Sequence, residues 1–290
     1  MMLFLSTPLT LQTPRLRALS TVAALVVLTA GCNSLGGPGT IRSAGVAEVE
    51  QRSEATETNI ASLNQVVAAN ASSPEPYNTR GAAYARIGRF VEAITDFSTA
   101  IKLDPNNVAA YTNRALAYRQ TGRSDQALAD FNLAITANPR HAPAYLGRAN
   151  LLRSQGNLQD AMADLDAAIR LNPEAAPAFH ARGLIWQRQG DHARAVTDFD
   201  NAIDRDPFAS APYLARGQSL IALGKYDAAI EDFNATLNVD NRSADAWAGL
   251  GLAYERQGNK SKAAESYQRA LVVDPNNRLA RDGHARTGRG

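Results

Sequence analysis

The chain has 290 residues, 45% of them apolar and 20% charged, which supports a packed core and excludes general disorder. Thirty basic residues face 28 acidic ones, so no field of one sign draws the whole molecule to nucleic acid or to an anionic bilayer. The single cysteine, Cys32, rules out an intramolecular disulfide, and with only four histidines it argues against Cys/His zinc modules.

The first element is a targeting segment. Arg15 and Arg17 are the only charges in residues 1–31, and an apolar run from Ala18 to Ala30 follows them. That run falls short of the roughly 20 residues a membrane-spanning helix needs. It suits the apolar centre of a signal peptide behind a basic start. It ends in Leu28-Thr29-Ala30-Gly31-Cys32, small residues ahead of the lone cysteine, which resembles the lipobox of bacterial lipoproteins. The resemblance implies a signal peptide over 1–31 and lipidation of Cys32 as the first mature residue. Losing Arg15 and Arg17 leaves 28 basic residues against 28 acidic ones. Residues 32–54 read as a flexible tether, opening with Asn33-Ser34-Leu35-Gly36-Gly37-Pro38-Gly39. Acyl chains contribute about 0.8 kcal/mol per buried CH₂, so several of them hold a protein firmly on a membrane. Asn33 stands where an aspartate tends to retain lipoproteins at the inner membrane. The resemblance therefore implies the periplasmic face of the outer membrane.

Residues 55–73 are expected to form a capping helix, with Ile60, Leu63, Val66 and Val67 recurring in a polar background. From Pro74 the chain repeats every 34 residues, in blocks 74–107, 108–141, 142–175, 176–209, 210–243 and 244–277. Column four is aromatic throughout: Tyr77, Tyr111, Tyr145, Phe179, Tyr213 and Trp247. Column eight is Gly or Ala, column fifteen is Gly from Gly88 to Gly258, and column twenty is Ala from Ala93 to Ala263. Column twenty-four is Phe97, Phe131, Leu165, Phe199, Phe233 and Tyr267, and column thirty-two is Pro except at Asn241. Positions four, eight and eleven share one helix face. Small residues let two helices approach, glycine suits a helix C-terminus, and proline stops the second helix. Each block is thus a helix–turn–helix unit that completes its core only by stacking on neighbours.

These columns resemble the tetratricopeptide repeat family. The resemblance implies an all-α solenoid, a right-handed superhelix of hairpins whose first helices line a concave groove. The plan, with its lipobox, resembles NlpI-type and pilus-assembly TPR lipoproteins. Residues 278–290 read as a C-terminal cap and tail.

Two columns carry charge. Column seven is Arg80, Arg114, Arg148, Arg182 and Arg216, then Leu250; column twenty-three is Asp96, Asp130, Asp164, Asp198 and Asp232, then Ser266. Both change together in the last block, which predicts that each Arg contacts an Asp within its repeat or across to a neighbour.

No G-x-S-x-G, H-E-x-x-H or G-K-[ST] motif is present, so no catalytic residue, cofactor or metal site is expected. The run Asp198, Asp200, Asp204, Asp206 lacks the spacing and central glycine of a calcium loop. By the resemblance, columns two, five, nine, twelve and thirteen face the groove. The candidate peptide-binding residues there are Asn78, Thr112, Arg119, Leu146, Asn150, Arg153, His180, Gln187, Arg188 and Gln218, with Leu184 and Leu214 as aliphatic patches. Chaperone-binding relatives clamp a C-terminal carboxylate, but Asn78 and Ala82 stand where lysine and asparagine are required. The expected role is a non-catalytic, lipid-anchored adaptor that holds an envelope protein or peptide and no nucleic acid. Alternatives are a pilotin-like pilus or secretion-apparatus assembly lipoprotein, or a self-associating structural lipoprotein. The oligomeric state is left open.

Overall fold

A computed structural model describes residues 59–288, which are α-helices joined by short turns. The signal segment 1–31, Cys32, the tether 32–54 and the first residues of the expected cap lie outside the described residues. Numbered in chain order, α1 covers 59–69. Six hairpins follow. Their first helices are α2 (Pro74–Arg86), α4 (Val108–Gln120), α6 (Ala142–Ser154), α8 (Ala176–Arg188), α10 (Ser210–Ala222) and α12 (Ala244–Arg256). Their second helices are α3 (Phe90–Leu103), α5 (Ser124–Ala137), α7 (Leu158–Leu171), α9 (His192–Arg205), α11 (Tyr226–Val239) and α13 (Lys260–Val273), and α14 (Arg278–Thr287) closes the array. No helix among the described residues is long and apolar enough to cross a membrane.

The turns follow from single residues. Within each hairpin the chain reverses through a column-fifteen glycine, such as Gly122 at φ 74°, a region that a Cβ disfavours. Between hairpins, the residue before the column proline makes the turn with its side chain. The Asp104 carboxylate accepts the Asn106 N–H at 3.0 Å, and Asp240 accepts the Arg242 N–H at 3.0 Å. The fifth connection therefore keeps its geometry with Asn241 in place of proline. Asn107 then caps α4 by accepting the Ala110 N–H at 2.9 Å.

Column twenty-four supplies the wedge between helices. Phe97, Phe131, Phe199, Phe233 and Tyr267 are all fully buried. The Phe233 ring lies between Gly217 of its own hairpin and Gly249 of the next, where added Cβ atoms would stand 2.9 and 2.5 Å from it. Its cluster joins Ala229 and Leu237 to Ala246 and Leu250 of the following hairpin. The core is thus a series of shared compartments, each finished by a neighbour.

Consecutive first helices pack on one another, from α2 on α4 through to α12 on α14, whereas consecutive second helices do not. A stack of units more closely spaced on one side curves toward that side. The first helices therefore form the inner layer.

Column seven ties the layers together. Each of the five arginines donates from Nε and Nη2 to both oxygens of the column-twenty-three aspartate in its own hairpin, at 2.6–2.9 Å. Its Nη1 reaches back to the preceding unit: Arg114 to Ser98, Arg148 to Asn132, Arg182 to Asp166 and Arg216 to Asp200, at 2.6–3.0 Å. Arg80 makes the same reach to Asn64 of α1 at 2.9 Å, so α1 stands where a preceding second helix would. The last hairpin lacks the pair, and a different network replaces it. Tyr267 donates its hydroxyl to Glu255 at 2.6 Å, and Arg286 of α14 grips the same carboxylate at 2.7 and 2.9 Å.

Candidate functional site on the inner face

The inner layer exposes one side of each first helix, and the expected groove residues divide there into three groups. Of the candidate peptide-binding residues, Asn78 and Thr112 are buried, at 8% and 3% exposure. Asn78 accepts the Asn113 amide across the α2–α4 contact at 3.0 Å, and the Thr112 hydroxyl donates to the Val108 carbonyl at 2.8 Å. Gln187 is engaged internally: its amide donates to the Ala215 carbonyl at 2.9 Å and to the buried Ser219 hydroxyl at 3.0 Å, fastening α8 to α10. Arg188 and Gln218 are exposed; Arg119, Leu146, Asn150, Arg153 and His180 are half-buried, as are Leu184 and Leu214.

Arg119 and Arg153 occupy column twelve of neighbouring helices α4 and α6. Burial lowers the Arg119 pKa, and the Arg153 charge lowers it further. His180 on α8 is lowered in the same way, by burial first and then by Arg153, and its ring sits 5.9 Å from that of Phe199. The Nε of Arg153 is buried with no hydrogen-bond partner. Arg119 also lines a hollow of about 270 Å³ with Ala82, Asn113, Leu116 and Gln120. The sequence reading passed over Leu116, although it stands at column nine among positions expected to face the groove. No cluster of His, Cys, Asp and Glu able to hold a metal occurs among the described residues.

A helical repeat array whose first helices pack into one inner layer is the architecture of a protein-interaction scaffold. A tetratricopeptide repeat profile matches residues 78–143, 146–210 and 214–278, more than half the chain. The chain belongs to the tetratricopeptide repeat family. No curated protein sequence matches it. Among solved structures it is similar to the APC/C hetero-tetramer Cut9–Hcn1, with a TM-score of 0.70 and 22% identity over 78% of this chain and 44% of that one. The chain thus spans less than half the length of that relative. It is also similar to YrrB, described as a TPR protein with an unusual peptide-binding site (TM-score 0.55, 24% identity, 66% of this chain and 97% of that one). A third is PilF of Pseudomonas aeruginosa (TM-score 0.68, 17% identity, 73% and 97%). At these identities the likeness is one of fold.

Proposed function

We propose that this protein is a membrane-tethered, non-catalytic adaptor that holds a segment of an envelope protein against its inner face. The observation that carries the reading is the inner layer of first helices, where Arg119, Arg153 and Arg188 form no ion pair among the described residues. Lipidation at Cys32 confines the adaptor to the periplasmic face of the outer membrane. Its partner then meets other components of that layer at a raised effective concentration.

The test is site-specific photo-crosslinking in cells. A crosslinker at Gln218 or Arg188, both exposed on the inner face, is expected to trap one recurrent partner segment. The same group at Leu133, on second helix α5 and 48% exposed, is not. Equal trapping from both faces rejects the inner face as the site. Anchoring is tested separately: Cys32→Ser is expected to release the protein from the membrane fraction and abolish acyl labelling.

A second reading, assembly of a pilus or secretion apparatus, has the fold likeness to PilF in its favour. Loss of surface pili on deletion of this gene supports that reading; normal piliation removes it.

A further inference from the structure

Near-neutral net charge hides a segregation by layer. Helices α4, α6, α8 and α10 contain no Asp or Glu anywhere along their 13 residues. The acids of these repeats sit on the second helices, among them Asp125 on α5, Asp160 on α7, Asp204 on α9 and Glu231 on α11, or in the turns, as Glu174, Asp191, Asp206 and Asp240 do. On the four inner helices, Arg114, Arg148, Arg182 and Arg216 are engaged by aspartates from the outer layer. That leaves Arg119, Arg153 and Arg188 as cations without counter-ions among the described residues.

Arg153 is the informative one. Its Nε–H is withdrawn from water and meets no acceptor, although buried polar groups are almost always partnered. It lies one helix from Arg119 and one helix from His180 and its charge acts on both, so three donor-bearing groups share a stretch of the inner layer where none of them has an ion pair with a carboxylate among the described residues. The guanidinium presents Nε–H and Nη–H as a planar fork that matches two oxygens of one carboxylate. Beside these groups run Leu116, Leu146, Leu184 and Leu214, all half-buried. Columns five, nine and twelve of α4 to α10 hold no Phe, Tyr or Trp on which a base could stack, and three cations are few for tracking a phosphate backbone. Both facts favour a peptide over a nucleic acid.

We propose that Arg119 and Arg153, with His180 beside them, receive the carboxylates of an acidic protein segment whose apolar residues rest on Leu116, Leu146 and Leu184. This rests on the adaptor reading and names the chemistry of its partner.

The test uses three labelled peptides on the full chain: one alternating Leu and Glu, one with Gln in place of Glu, and one with Lys. The Glu peptide is expected to bind about tenfold more tightly than the Gln peptide, and the Lys peptide not at all. That preference should shrink with added salt and disappear in Arg153→Gln and Arg119→Gln. In NMR, the Glu peptide should shift the Arg153 Nε–Hε resonance. Because Arg153→Gln removes a half-buried, unpaired cation, its unfolding midpoint should match or exceed that of the native chain, which separates lost binding from lost folding. Equal affinity for the Glu and Gln peptides, no binding of the Glu peptide, or an undiminished Glu preference in both variants overturns the carboxylate site. Crosslinking from Gln218 still judges the adaptor reading separately, because it does not depend on which residues the partner carries.

Discussion

Arg148 and Asp164 show how one recurring pair does two things. The aspartate is 8% exposed and the arginine 23%, and the arginine's third nitrogen also bonds Asn132 of the preceding hairpin. Removing one partner strands a poorly solvated charge, whereas removing both does not. Asp164→Ala is therefore expected to cost about 3 kcal/mol. The double variant Arg148→Met/Asp164→Ala should cost clearly less than the sum of the two singles, as urea denaturation of all four proteins would reveal. Strict additivity denies the coupling. His180 gives a pH-dependent case. Burial, aided by Arg153, holds its pKa below the ordinary histidine value, so the unfolded chain binds the proton more readily. Its contribution to stability is complete above that ordinary value and is lost as pH falls toward the lowered folded value. His141 is lowered by burial as well and acts in the same sense. His180→Gln should flatten the loss of stability between neutral pH and about pH 5. An unchanged slope in denaturation series at the two pH values contradicts this account.

At the level of elements, the fifth connection is the exception in the repeat. Asp240 has φ −133° and ψ 92°, close to the −135° and 96° of Asp104, which precedes a proline. That extended conformation is the one a residue before proline prefers. Asn241 is thus already held in a proline-compatible turn, by the Asp240 side chain, by the Ser243 N–H donating to the Asp240 carbonyl at 3.2 Å and by the Trp247 indole N–H donating to the Asn241 carbonyl at 3.2 Å. Asn241→Pro should stabilise the protein by about 0.4–1 kcal/mol by restricting the unfolded chain. A fall in the thermal midpoint would show that the turn differs from its counterparts.

For the array as a whole, stability passes from neighbour to neighbour, so the ends matter. Helix α14 is the last of the described helices, and part of what holds it is the residues around Tyr267. Gly283 packs against the Tyr267 ring, and Arg286 binds the Glu255 carboxylate that also accepts the Tyr267 hydroxyl. Arg286 and Tyr267 together keep Glu255 ionised, below its ordinary range. Tyr267→Phe keeps the wedge and deletes the hydrogen bond, at an expected cost of about 1–2 kcal/mol. In a linear array that loss should appear first as faster amide exchange in α14 and α13, with α4 to α8 unchanged. Uniform acceleration through every hairpin rejects the nearest-neighbour picture.

Much of this was legible in the chain because a 34-residue period turns each structural need into a column. Glycine at fifteen, alanine at twenty and an aromatic or leucine at twenty-four report local turn geometry and helix spacing, which recur wherever the unit recurs. The joint loss of Arg and Asp at Leu250 and Ser266 likewise announced a pair before any distance was known. The emptiness of α4, α6, α8 and α10 in acidic residues could be read there too, once the helices are sorted into layers. Tertiary packing decided the rest. Whether a groove-column side chain is offered or withdrawn depends on the neighbouring helix: Asn78 meets Asn113, Gln187 meets Ser219, and Arg153 meets no acceptor. Column position sets the direction in which a side chain leaves its helix. Only the adjoining helix determines whether a partner is already waiting for it.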